Sequence, residues 1–242
     1  MEIVTRFLPH WLTILLRKIK YFGKERHCLL CGGNVRFFRS FGVVPRPNVY
    51  CPVCRSLDRH RLLWIFFKKH TNLLDQTPKN MLHVAPEPEI ARKLIKVTSI
   101  QYLTADLYNS DVMEKMDITD IHYPDSSFDF ICCSHVLEHV SDDRKAVNEF
   151  YRVLKPNGLA VLMVPVIRET TFEDPSVTEP SERLKVFGDK NHCRAYGKDF
   201  DHRVGESGFA VQAISASEII DPKEFERLGI TAGEEIFLCR KI

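Results

Sequence analysis

Four cysteines fall in two pairs, Cys28-x-x-Cys31 and Cys51-x-x-Cys54, in the pattern C-x2-C-x19-C-x2-C. A C-x-x-C turn brings two thiolates to one side, and two such turns supply the four soft ligands that tetrahedral Zn2+ takes. All four positions are Cys, so no coordination position stays open, and the reading is a structural rather than a catalytic zinc site. A redox dithiol explains one isolated C-x-x-C but not two pairs. Between the pairs, residues 34–41 and 43–50 read as two short strands around Gly42, a zinc-ribbon plan. Residues 27–54 are too few for a self-sufficient core, so bound metal would supply much of the folding energy. A helix is expected over 55–70, with Leu57, Leu62, Trp64, Ile65 and Phe66 inward and Arg55, Arg59, Arg61, Lys68 and Lys69 as a solvated basic face.

Ahead of the cysteines, residues 5–22 carry apolar side chains at helical spacing (Leu8, Trp11, Leu12, Leu15, Leu16, Ile19) among Arg6, Arg17, Lys18 and Lys20. The uninterrupted apolar run is too short to span a bilayer. Two readings stay open: a helix resting on an anionic membrane surface, or one docked on protein. A net charge of +2 over 242 residues gives no bulk pull towards nucleic acid. Cys132 and Cys133 are adjacent in a predicted strand and read as buried thiols rather than disulfide partners. With no signal peptide legible, a cytoplasmic location is expected, with peripheral contact at the inner membrane face if residues 5–22 bind lipid. The oligomeric state is left open.

Beyond Pro78, strand-like and helix-like segments alternate, the pattern of a parallel sheet with helices on both faces. Strands are expected at 81–85, 100–106, 112–117, 128–134 and 159–165, helices at 87–96 and 142–154, and two edge strands at 209–216 and 235–239. Residues 165–189 read as a long Pro-containing insertion without clear structure. Three parts follow: 1–26, an amphipathic basic helix; 27–74, the four-cysteine module plus helix; and 78–242, the α/β domain. Ligands of such sheets bind at the carboxyl ends of the strands, which singles out Ala85–Glu87, Asp106, Asp117, Ser134 and His135. An acid after the second strand can accept hydrogen bonds from both ribose hydroxyls.

The stretch SFDFICCSHVLEHVSDDRKAVNEFYRVLKPNGLAVLMVP (127–165) resembles the span from fourth to fifth strand of the class I S-adenosylmethionine-dependent methyltransferases, and the likeness runs from about Met81 to Gly208. The resemblance implies a Rossmann-like seven-stranded sheet and methyl transfer from S-adenosylmethionine. It places Asp106 on the cofactor ribose, Asp117 and Ile118 on adenine, and Ser134 and His135 towards cofactor and substrate. The family's glycine-rich first loop is replaced by His83-Val84-Ala85-Pro86-Glu87-Pro88, with no glycine. Val84, Ala85 and Pro86 would take over its path, and Glu87 would bind the methionine ammonium in place of the usual acid at position 83. The loop resembles that of a subgroup linked to cell-surface polysaccharides, which implies a small-molecule or glycan acceptor methylated on oxygen. Three residues are candidates for the chemistry: His192 as general base, His135 beside the cofactor, and Arg194 as a cation for phosphate or carboxylate. His192, Arg194 and Tyr196 alternate, which in an extended segment puts them on one side. The rival reading is a non-catalytic zinc-ribbon binding module, for nucleic acid or protein, on a degenerate methyltransferase scaffold.

Overall fold

The computed structural model describes residues 9–242. Residues 1–8, with Arg6 and Leu8 of the expected amphipathic stretch, lie outside them. The chain divides into two compact units, one of residues 1–72 with 216–234 and one of 73–215 with 235–242. The expected continuous 78–242 domain is thus corrected: the excursion between its last two strands belongs to the first unit.

In that first unit, helix α1 (His10–Tyr21) leads into β1 (Phe22–Cys28), which pairs antiparallel with β2 (Gly33–Val35). A second hairpin joins β3 (Arg39–Phe41) to β4 (Arg46–Tyr50), and α2 (Asp58–Lys69) follows. On α1, Trp11, Leu15, Leu16 and Ile19 are exposed. No helix of the described residues is long and apolar enough to cross a membrane.

Arg61 overturns its assignment to a solvated basic face, because it is wholly buried. Its guanidinium donates to Val49 O (2.8 Å), Ser56 O (2.9 Å), Leu228 O (2.7 Å) and Gly229 O (2.5 Å), and it stacks 4.3 Å from the Phe38 ring centroid. A buried cation survives only when its donors are met, and here backbone carbonyls meet them. Gly229 makes this approach possible: a Cβ there would stand 2.3 Å from Phe38 and 2.9 Å from Arg61. Asp58, also buried, pairs with Arg46 at 3.0 Å and accepts from Thr231 at 2.9 Å.

The second unit is built on a seven-stranded sheet. Its elements are β5 (Lys79–Val84), α3 (Pro88–Leu94), β6 (Ile100–Asp106), β7 (Glu114–Lys115), β8 (Phe128–Ser134), a 3-10 turn (Leu137–His139), α4 (Asp143–Val153) and β9 (Leu154–Met163). After them come β10 (Val166–Arg168), β11 (Phe172–Glu173), α5 (Pro180–Phe187), β12 (Arg194–Gly197), α6 (Phe200–Gly205), β13 (Phe209–Ser215) and β14 (Glu235–Lys241). The strand order is β13-β14-β9-β8-β5-β6-β7, parallel from β9 to β7, with β13 and β14 antiparallel at one edge, as the alternation predicts.

Every second residue of the central strands (Leu82, Val84; Ile131, Cys133; Ala160, Leu162; Phe237, Cys239) joins one core cluster with Ala146, Val147, Phe150 and Val153 of α4 and Phe200 and Val204 of α6. The intervening Met81, Phe130, Cys132 and Val161 are buried too, so both sheet faces are covered, as continuous apolar strands require. All eight cysteines are free thiols. The 165–189 insertion is not structureless: β10 and β11 flank β12 in a small three-stranded sheet, and α5 packs against β12. Phe187 and Val177 supply the apolar contact that holds this insertion together.

Candidate active site and cysteine centre

The strand ends of the second unit open on a pocket of about 860 Å3, within the range of small-molecule sites. Val84 and Ala85 at the end of β5, Asp106 at the end of β6, Asp117 and Ile118 after β7, and His135 after β8 all line it. These expected positions therefore meet in one place, for the reason a doubly wound sheet gathers its ligand residues at one end.

Both acids also hold their own loops. Asp106 Oδ1 accepts from the Tyr108 and Asn109 amides at 2.7 and 2.8 Å, and Asp117 Oδ1 accepts from the Thr119 amide and hydroxyl at 2.8 Å each. Loop capping and ligand binding are thus compatible roles: one oxygen fixes the carboxylate. Arg183 of the 165–189 insertion also lines the pocket, as does Tyr108, which was not singled out from the sequence. Tyr108 is 91% exposed two residues after the strand-end acid, a position that could have signalled it.

The glycine-free loop achieves by strain what glycine gives freely. Ala85 has φ +46°, in the left-handed region. A Cβ there costs roughly 1–2 kcal/mol. Replacing Ala85 with glycine removes that strain but adds about 0.5–1 kcal/mol of unfolded-chain entropy. The expected net is stabilisation by about 0.5–1 kcal/mol, a rise of roughly 2–3 °C in melting temperature. A thermal melt checks it, and a fall in melting temperature would contradict the strain assignment.

Several expected site residues lie elsewhere. Pro86, Glu87, Ser134, His192 and Arg194 do not line the pocket. Glu87 is buried and accepts from His83 Nε2 at 2.9 Å, while Tyr102 OH donates to His83 Nδ1 at 2.8 Å. The carboxylate assigned to a ligand ammonium is thus turned onto a buried imidazole.

Arg194 is 3% exposed and spends its donors inside the protein. It bonds Glu173 (3.0 Å) and the carbonyls of Leu137 (2.9 Å), Val140 (2.5 Å) and Ser141 (2.7 Å). It is a clamp on the loop after β8, not a cation offered to substrate. Tyr196 is fully buried, and its hydroxyl donates to Asp143 at 2.6 Å. His192 stands behind His139, ring centroids 4.8 Å apart and nearly perpendicular, and burial lowers its pKa below the ordinary histidine value. His139 itself lines the pocket.

In the first unit the four cysteine sulfurs lie within 4.8 Å of one another. Cys28 Sγ is 3.6 Å from Cys54 Sγ, and Cys31 Sγ is 3.9 Å from Cys51 Sγ. Zn–S bonds of about 2.3 Å in a tetrahedron put sulfurs about 3.8 Å apart. Hydrogen bonds from Cys31, Cys51 and Cys54, with the nearby Arg61 charge, hold the Cys28 thiol well below its usual range. The Ser56 hydroxyl touches Cys28 Sγ (3.4 Å) and Cys54 Sγ (3.2 Å) and accepts from Arg61 at 3.3 Å. The buried arginine thus orients the group that supports the sulfurs.

Residues 73–162 match the family model of a methyltransferase domain. A Bacillus subtilis protein described as the uncharacterized methyltransferase YcgJ is 40% identical over 72 residues, 30% of this chain and 27% of that protein. The chain thus spans about a quarter of that relative's length. Among solved structures, Haemonchus contortus phosphoethanolamine N-methyltransferase 2, in complex with phosphomonomethylethanolamine and S-adenosylhomocysteine, superposes with a TM-score of 0.52. Identity to it is 14%, over 75% of this chain and 53% of that one. The cyclase SpnF also gives 0.52, at 13% identity over 88% of this chain and 90% of that one. The second unit has the Rossmann-like fold of the class I methyltransferases. A cyclase on the same fold illustrates why the reaction must be argued from the site.

Proposed function

We propose that the protein transfers a methyl group from S-adenosylmethionine to an oxygen of a sugar or glycan-like acceptor. The observation that carries this is the convergence of Asp106, Asp117 and the left-handed Ala85 turn on one pocket at the carboxyl ends of parallel strands. Asp106, with one oxygen tied to its loop, would accept from the ribose hydroxyls. Asp117 and Ile118 would flank the adenine, and the Val84–Ala85 backbone would follow the methionine end. When bound, the cofactor supplies an activated methyl on a sulfonium. The chain's part is to bind it and to hold an acceptor oxygen in line with it. Ser141, Asp142, Arg183 and Asn191, also on the pocket wall, offer hydroxyl, carboxylate, guanidinium and amide groups suited to sugar hydroxyls.

The four cysteines, in this reading, hold structural Zn2+. Their spacing, sulfur separations and burial support it, and four thiolates leave no position for substrate.

Isothermal titration of the full chain with S-adenosylhomocysteine tests the reading. Micromolar binding is expected, weakened at least 100-fold by Asp106→Ala. A well-folded protein that binds neither S-adenosylhomocysteine nor S-adenosylmethionine would end it.

A further inference from the structure

Three neighbouring residues, of which His139 lines the pocket and Glu138 and His192 lie behind it, are left over from this account. Glu138 and His139 belong to the 3-10 turn after β8, and His192 precedes β12. Their ligand atoms lie within 4.8 Å of one another. Each histidine gives its Nδ1–H to a main-chain carbonyl: His139 to Asn191 O and His192 to Phe187 O, both at 3.2 Å. That fixes the tautomer and leaves Nε2 with its lone pair free, the arrangement in which histidines ligate metals.

Glu138 carries the second, independent sign. It is 1% exposed, and its Oε1 lies 3.3 Å from His135 Nδ1. Its Oε2 is buried with no hydrogen-bond partner among the described residues. A buried carboxylate oxygen without a donor is costly, and a bound cation would remove that cost.

The frame holding these ligands is rigid. Cys193 N donates to Glu138 O at 2.7 Å, and Arg194 binds the carbonyls of Leu137 and Val140 on either side of the turn. These contacts fasten the segment carrying His192 to the turn carrying Glu138 and His139. The saturation of Arg194 thereby has a purpose, since it positions ligands and touches no substrate.

We propose that Glu138, His139 and His192 bind a divalent transition-metal ion of the Zn2+ class at the edge of the cofactor pocket. Two imidazoles and one carboxylate leave coordination positions open, unlike the four-thiolate centre. Because His139 lines the pocket, an ion it held would stand at the edge of the space an acceptor would occupy. An acceptor hydroxyl bound there would release its proton to solvent more readily and be oriented for attack. That use of the ion rests on the methyl-transfer reading; the ion site itself does not.

The test is titration of full-length protein carrying a single equivalent of zinc, enough for the four-thiolate centre alone, with Co2+, followed by visible absorption. One equivalent is expected to bind with d–d bands and without intense sulfur-to-cobalt charge transfer. Glu138→Gln and His192→Gln should each weaken this binding at least tenfold, whereas His202→Gln, a change at an exposed histidine, should not. S-adenosylhomocysteine titration of the same preparations shows whether each variant is folded. Cobalt binding that is absent, or unchanged in both ligand variants, while S-adenosylhomocysteine still binds, overturns the metal site and leaves the methyltransferase reading standing. Ligand-dependent cobalt binding in a protein that ignores S-adenosylhomocysteine establishes the metal site and removes the methyltransferase reading.

Discussion

Serine at position 51 is expected to abolish the folded state of the cysteine-bearing hairpins in the full chain, and a strong zinc chelator is expected to do the same to the wild type. Binding of structural zinc is worth about 10–16 kcal/mol in small four-ligand modules. That is comparable to the whole stability of an ordinary domain, about 5–15 kcal/mol. Apart from the buried Val35, Phe38 and Val49 and the Arg61 contacts, the hairpins rest on short two-stranded pairs, β1–β2 and β3–β4, which are marginal in water on their own. Hydrogen exchange gives the readout, with amide protection across residues 22–54 lost in Cys51→Ser and after chelation. Ser56→Ala provides an intermediate case. It removes the hydroxyl that touches Cys28 and Cys54, and it should weaken zinc about 10–100-fold without preventing folding at saturating zinc. Unchanged protection in Cys51→Ser would show that the sulfurs gather without metal.

What the sequence made legible, and what it hid, follows from the range of the interactions involved. The strands Ile100–Asp106 and Phe128–Ser134 were readable to the residue because short segments rich in β-branched and aromatic residues between turn-forming stretches favour strand. The strand-end acids were readable because a parallel sheet fixes where its ligands go. The strand Phe22–Cys28 was not, since FGKERHC has no period-two apolar pattern and only its pairing with Gly33–Val35 makes it a strand. The arginines misled for a related reason. Arg61 finds acceptors 167 and 168 residues away, and Arg194 finds one 57 residues away. A side chain saturated by distant carbonyls looks, in one dimension, like any solvent-facing cation. Glu87 misled through its neighbour: the imidazole at position 83 turns the carboxylate back from the pocket.

The same logic predicts that Asp143→Asn is among the most damaging conservative changes outside the cysteine centre. Asp143 is 3% exposed. Its Oδ2 accepts from Tyr196 OH (2.6 Å) and Arg203 Nε (2.8 Å), its Oδ1 accepts from an Arg203 Nη2 at 2.7 Å, and Arg194 lies 3.6 Å away. The amide keeps the shape but removes the charge between two guanidinium groups, of which only Glu173 then remains as counter-ion. Breaking a buried ion network on one side costs about 3–5 kcal/mol. That should lower the melting temperature by roughly 10 °C or more. The pH dependence separates this cause from simple mispacking. Burial opposes ionisation of Asp143, yet Arg203, Tyr196 and Arg194 hold its carboxyl below the usual range. A depressed carboxylate contributes its stability above the unfolded value of about 3.9 and loses it as pH falls through the folded value. Wild-type protein should therefore lose melting temperature on going from pH 7 to pH 3, and Asp143→Asn should lose less over the same interval. Equal acid sensitivity in the two proteins would mean that the network contributes packing alone. Because Arg194 also fastens the turn carrying Glu138 and His139, the variant should in addition weaken Co2+ at that turn, even at temperatures where it is fully folded.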